Sequence, residues 1–165
     1  MTAAPRPFPL YIPFVEELGL ELWAFGEGRA ELRVDLAEAH LNSFAVAHGG
    51  VLMTMLDVAM AHAARSSHGT APDAGPGAAT IEMKTSFMRP AEGRLRAEGQ
   101  LLHRTTTMAF TEGSVFNEAG QLCAHATATF KFIHALPTTG RHRRTLQRAR
   151  PDAAPDVTPV TQDTP

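Results

Sequence analysis

The sequence is short of cysteine, lysine and long apolar runs, and each shortage excludes something. A single cysteine, Cys123, leaves no intrachain disulfide framework and no cysteine-based zinc cluster. No apolar run approaches the ~18–20 residues that a membrane-spanning helix needs. The opening Met-Thr-Ala-Ala-Pro-Arg-Pro lacks the basic-then-apolar order of a secretory signal, so a cytoplasmic location is expected. Formal net charge is −2, with no basic bias that would make nucleic acid an expected partner. Eight histidines are present, but no pair has ligand spacing on a suitable scaffold, and no metal is expected.

Two lysines stand against thirteen arginines, and five of those arginines fall between Arg141 and Arg150. Residues 1–140 carry 10 basic and 14 acidic groups, whereas 141–165 carry five arginines and three aspartates. Beyond Pro151 hydrophobic residues are too sparse to pack. The expected division is an N-terminal segment with a short helix over 1–19, a folded domain over 20–136, and a disordered tail over 137–165.

Alternation of polar and apolar residues marks strands. It is clear over Glu21–Phe25, Arg29–Leu36, Ala79–Phe87, Arg94–Leu102, Thr106–Phe116 and Leu122–Ile133. In the third of these, Ile81, Met83, Thr85 and Phe87 oppose Thr80, Glu82, Lys84 and Ser86. Asn117-Glu-Ala-Gly120 joins the last two runs as a hairpin turn. The stretch Gly50–Arg65 breaks the rhythm. It is rich in Ala, Leu and Met and lacks turn residues after Gly50, so it reads as a four-turn helix, apolar almost all round. Strands flanking one buried helix predict an α+β fold, with an antiparallel sheet wrapped around a long central helix.

One carboxylate, Asp57, sits inside that helix. Desolvating an aspartate costs several kcal/mol, so Asp57 faces a solvated stripe, bonds a backbone amide, or is held in a pocket with a raised pKa. His48-Gly49-Gly50 begins the helix, where unpaired amides and the positive end of the dipole favour an anion or a developing oxyanion. The loop before it holds His40 and Asn42, and Asn42 can both donate and accept. Gly49 and Asp57 are eight residues apart, a rise of roughly 12 Å. If both act on one carbonyl, they come from different chains, which argues conditionally for a homodimer.

The run His40-Leu-Asn42-Ser-Phe-Ala-Val-Ala-His48-Gly49-Gly50-Val-Leu-Met-Thr-Met-Leu-Asp57 resembles the signature of hotdog-fold acyl-CoA thioesterases, in particular the phenylacetate-pathway type. Thr80-Ile-Glu-Met-Lys-Thr-Ser-Phe87-Met-Arg-Pro90-Ala91 and the two C-terminal strands are similar to that family as well. The resemblance spans about residues 20–133 and implies the hotdog fold, with dimers formed by sheet extension and often paired into a homotetramer. It implies a catalytic set of Asp57, Gly49, Asn42, Thr80 and His48. Asp57 would be nucleophile or general base, the Gly49 amide would polarise the thioester, Asn42 would position the attacking group, and Thr80 would help hold water. By position Gly50, Glu82, Phe87, Thr106, Thr107 and Lys131 would contact the substrate. Arg104 joins them because a guanidinium suits the phosphates of CoA. CoA is then part of the substrate, and no separate cofactor is implied. Leu52, Met53, Phe87 and Met88 are candidate pocket walls.

Family members often carry glycine three residues after the asparagine, where this chain has Ala45. Two other activities compete. Asp57-Val-Ala-Met-Ala-His62 has the Asp-x4-His spacing of hotdog enoyl-thioester hydratases, although the Asn-Pro loop of that branch is missing. A domain that binds acyl-CoA without turnover is the other.

Overall fold

The computed structural model describes residues 4–71 and 75–133. The Arg-rich segment and the tail expected over 137–165 lie outside the described residues.

Proline at the first turn and Gly19 just past the end bound a short helix, α1 (Pro13–Glu17), whose Val15 is buried. Strands β1 (Glu21–Gly26) and β2 (Arg29–Asp35) follow as a hairpin. A 3-10 turn over Glu38–His40 leads to the long helix α2 (Gly49–Ser66). Four further strands complete the described chain: β3 (Gly77–Phe87), β4 (Arg94–Arg104), β5 (Met108–Phe116) and β6 (Leu122–Ile133). They form one six-stranded sheet of order β1-β2-β4-β5-β6-β3, antiparallel throughout. The sheet wraps α2, as the hotdog resemblance implies. No helix among the described residues is long and apolar enough to cross a membrane.

The core lies between the helix and the inner face of the sheet. Met55, Leu56, Ala59 and Met60 of α2 meet Leu32 and Val34 of β2, Leu95 and Ala97 of β4, and Phe130 of β6, all buried. The helix approaches closely because the sheet has almost no side chain at two facing positions. Gly99 pairs with Gly113 across β4 and β5, and a Cβ at Gly99 would lie 2.5 Å from the Ala59 backbone. Alanines 124, 126 and 128 thin the inner face of β6 in the same way.

Three expectations need correction. Thr106 and Thr107 are not in β5, which begins at Met108. The Thr105 hydroxyl accepts from the Thr107 and Met108 amides and holds a turn there. Strand β4 runs on past Leu102, through a register shift between Leu101 and His103. In β3 the alternation breaks: Thr80 pairs with Phe130 and Glu82 with Thr129, so Ile81 is an extra, bulged residue. Ile81 is 58% exposed instead of inward-facing. Thr80 shares the inner face with Met83, Thr85 and Phe87, whose partners Ala128, Ala126 and Ala124 are buried.

Candidate active site

The sheet leaves one stripe of α2 uncovered. Gly50, Met53, Thr54, Asp57 and Ala61 recur at spacings of three and four, and none is buried. Asp57 therefore stands on the one face of the helix that the described chain leaves only partly covered. Opposite it, the Thr80 hydroxyl donates to Asp57 Oδ1 at 2.7 Å. The bulge at Ile81 makes this contact possible by turning Thr80 inward. Burial raises the Asp57 pKa above its ordinary value of 3.8, and the Thr80 hydrogen bond opposes that rise.

Asp57 opens into a cleft of about 420 Å³ lined mostly by apolar side chains. Met53, Val58 and Ala61 of α2 form one wall, Ala78 and Met83 of β3 another, and Ile12, Phe14 and Val15 from the N-terminal segment a third. His62 also lines it. That ring is 3% exposed, its Nδ1 lies 2.8 Å from the Val58 carbonyl oxygen, and its pKa is lowered to about 4, chiefly by burial.

The N-terminus of α2 lies beside a second cleft, of about 390 Å³. Asn42 Oδ1 accepts from the amides of Phe44 and Val46, so the carbonyl end of Asn42 shapes the loop and its Nδ2 end is left to donate. Ala45 takes up φ +59°, a left-handed conformation that glycine adopts freely. His48 caps the helix: its Nδ1 accepts from the Gly50 amide at 2.9 Å. The amides of Val51 and Leu52 turn back to the His48 carbonyl. The Gly49 N–H, at the positive end of the dipole, is thereby left to donate outward. Phe87 packs over Gly49, and a Cβ added there would sit 3.5 Å from its ring.

Asn42, Gly49, Leu52, Phe87 and Met88 thus share one cleft, and Asp57, Thr80 and Met53 gather at the other. His40 joins neither. It is buried, and its Nδ1 accepts from the Ala37 amide, which fixes the 3-10 turn. Glu82 accepts from Thr129 on the outer face of the sheet, next to the bulge. Arg104, Thr106, Thr107 and Lys131 lie at the end of the sheet beside the C-terminus of α2. Arg104 Nη1 is 3.2 Å from His68 Nε2, the Thr107 carbonyl accepts from the Phe132 amide, and His68 stacks edge-on against Phe132. Among the described residues no cluster of His, Cys, Asp or Glu is placed to hold a metal ion.

Three contributors were not legible from local pattern. Arg89 lines the Gly49 cleft while its Nη1 donates to the Leu122 carbonyl. Phe14 and Ile12 wall the Asp57 cleft, although their proline-broken segment carried no periodic signal. The Asp57-x4-His62 spacing falls within one unbroken helix, not a loop.

A model of the thioesterase superfamily matches residues 44–124, from the loop before α2 into β6. The structure of the conserved protein PA5202 from Pseudomonas aeruginosa superposes with a TM-score of 0.69 at 30% identity, over 76% of this chain and 97% of that one. The chain belongs to the thioesterase superfamily. Membership places it among the thioester hydrolases. Within that superfamily it is 29% identical to the medium/long-chain acyl-CoA thioesterase YigI of Salmonella typhimurium, over 74% of this chain and 87% of the relative. It is also similar to a mutant form of the phenylacetic acid degradation protein PaaI from Thermus thermophilus. There the TM-score is 0.65 and identity 27%, over 74% of this chain and 100% of the other. The matched region contains the loop of Asn42 only in part but all of α2 and β3, the elements that carry Gly49, Asp57 and Thr80.

Proposed function

We propose that this thioesterase hydrolyses acyl-CoA to free acid and CoA at sites built from two protomers. The observation that carries the reading is the Asp57–Thr80 pair. A carboxylate held in an apolar cleft, with its pKa raised, is a stronger base and nucleophile than a solvated one. Thr80 engages Oδ1 and leaves Oδ2 to act. Asp57 either draws a proton from water as its oxygen attacks the thioester carbon, or attacks that carbon itself. The C–S bond then breaks, and the CoA sulfur leaves as thiolate and takes up a proton; on the second route the acyl group stays on Asp57 as a mixed anhydride, which water cleaves to release the acid and restore the carboxylate.

The negative charge that builds on the carbonyl oxygen needs a donor, and the Gly49 N–H has the position and the dipole for it. Gly49 and Asp57 lie roughly 12 Å apart along one helix. Asn42 and Gly49 of the partner subunit therefore complete the site around Asp57. The edge of the sheet supports this assembly. Among the described residues, strand β3 pairs only with β6, and Ile81, Phe87 and Met88 near its free edge are exposed. An eleven-residue edge without proline is a template for another strand. A second copy pairing along β3 covers these side chains and continues the sheet, and two such dimers make the tetramer. Arg104, Thr106, Thr107 and Lys131 serve the CoA arm, with Glu82 beside its route into the cleft. The acyl group is aryl-acyl or medium-chain, which suits the apolar wall of Met53, Met83 and Phe14.

The test is kcat/KM of the full chain over aryl-acyl and medium-chain acyl-CoAs, with Asp57→Asn alongside. The expected result is hydrolysis that falls by about a thousandfold or more in the variant, with an unchanged circular dichroism spectrum. Full activity in Asp57→Asn contradicts the assignment. Binding without hydrolysis would favour the non-catalytic alternative, and a hydroxyacyl product from an enoyl-CoA would favour the hydratase.

A further inference from the structure

Phe44 is the most exposed large hydrophobic side chain among the described residues, at 83%. It stands at the tip of the loop between the 3-10 turn and α2, where a small polar turn residue would expose no apolar ring. The backbone of that loop is tied on both sides. Leu41 and Ala47 form an antiparallel bridge, the Asn42 amide donates to the Val46 carbonyl at 2.8 Å, and the Ala45 amide donates to the Asn42 carbonyl at 3.0 Å. Asn42 Oδ1 accepts from the Phe44 and Val46 amides, and Ala45 takes up its left-handed φ between them. At the base, the Ala47 amide donates to the Ala91 carbonyl and the His48 amide to the His40 carbonyl. The loop therefore holds an aromatic ring out from its own chain on a fixed support.

In the two-protomer site, Asn42 of the partner subunit stands beside Asp57. Two residues of chain span at most ~7 Å, so Phe44 of the partner subunit is carried to the same cleft. The rim there has apolar surface to receive it: Phe14 is 61% exposed, Met53 is 39% exposed, and both line the Asp57 cleft. A two-fold dimer makes the contact twice, since each protomer gives one ring and receives one. We propose that Phe44 of the partner subunit caps the Asp57 cleft against Phe14 and Met53 and forms the outer wall of the acyl pocket, so that the neighbour's loop sets each subunit's acyl preference. The proposal rests on the two-protomer acyl-CoA site above. It adds a specificity residue that acts on the acyl group alone. A phenyl ring offers no hydrogen bond to the carbonyl or the CoA arm, and contributes by covering acyl carbons and excluding water from them.

The first experiment measures kcat/KM from acetyl- to octanoyl-CoA, and for phenylacetyl-CoA, with the wild type and Phe44→Ala. The loss in Phe44→Ala is expected to grow with the acyl group. It should be under about twofold for the shortest acyl group turned over and about tenfold or more for octanoyl and phenylacetyl. A loss of equal size across the series, or none, overturns the proposal. Because Phe44 is exposed within its own chain, truncating it leaves no cavity in the protomer.

A second measurement does not depend on turnover. Deuterated chains with carbon-13 methyl groups on methionine are mixed with unlabelled chains until native mass spectrometry shows subunit exchange. Nuclear Overhauser contacts are expected between the Met53 methyl and the aromatic protons of Phe44 of the partner subunit, and are expected to vanish when the unlabelled chain carries Phe44→Leu. Their absence in an exchanged wild-type dimer, or their survival with Phe44→Leu, overturns the proposal. The contact without hydrolysis faults the catalytic reading alone. Hydrolysis by a dimer without the contact faults only the role of Phe44. A chain that stays monomeric faults the two-protomer site, and this proposal with it.

Discussion

Thr80 donates its hydroxyl proton to Asp57 Oδ1 at 2.7 Å, across 23 residues of sequence, because Ile81 is bulged out of β3. Without the extra residue, Thr80 would face away from the helix. The bulge thus links a local defect in a strand to the protonation behaviour of the one carboxylate on α2. Removing the hydroxyl removes the contact that lowers the Asp57 pKa and leaves the burial that raises it. Thr80→Ala is expected to shift the acid limb of the pH profile of kcat/KM to higher pH and to lower activity about ten- to a hundredfold near neutrality. An unshifted limb would show that this hydrogen bond does not tune the group that titrates.

Ala45 gives a prediction of opposite sign for stability. An alanine at φ +59° carries a left-handed cost of about 1–2 kcal/mol, and glycine recovers most of it while losing more entropy on folding. Ala45→Gly is expected to stabilise the protein by about 0.5–1 kcal/mol, read as a rise in Tm of a few degrees. The Asn42 loop keeps its hydrogen bonds to Phe44 and Val46, so catalysis is expected to survive.

The buried, neutral His62 is expected to make stability fall on the acid side. Its pKa is about 4 when folded, against an ordinary 6.5, because burial outweighs the Val58 carbonyl. The folded state therefore binds fewer protons than the unfolded state between pH 6.5 and 4. The stability associated with neutral His62 is fully present above pH 6.5 and is lost as pH falls through 4. The whole effect is roughly 3 kcal/mol, at about 1.36 kcal/mol per pKa unit. Urea unfolding at about pH 7 and about pH 4 is expected to show a smaller loss of stability on acidification for His62→Leu than for the wild type. Equal losses would show that another group controls acid unfolding.

Much of this architecture was legible in the sequence, for a physical reason. Strands β2, β4 and β6 each have one face on the core, so alternation in Ala30-Leu32-Val34, Leu95-Ala97-Gly99 and Ala124 through Phe132 marks them directly. Helix α2 is legible because twelve of its residues past Gly50 are buried. The Ile81 bulge was not legible. Apolar Ile81 continues the alternation of β3 without a break, and only pairing with β6 shows that it has no partner. For the same reason, periodicity alone sets Thr80 on the face opposite Met83, while the resemblance sets it beside Asp57. The cleft wall from Ile12 and Phe14 was hidden because contacts between a proline-broken segment and a distant helix leave no periodic trace. Nor does spacing show that His48 caps α2 with its ring and leaves the Gly49 amide to donate.

The central claim is that Asp57 of one protomer works with Asn42 and Gly49 of the partner subunit. Complementation between two inactive variants tests it most directly. Asp57→Ala and Asn42→Ala proteins are mixed in equal amounts, and subunit exchange is confirmed by native mass spectrometry. A two-fold symmetric dimer with shared sites gives half of its population as heterodimers, each with one intact site. Acyl-CoA hydrolysis is then expected to recover to about a quarter of the wild-type rate. Activity that stays at the level of the separate variants after exchange would contradict the shared site.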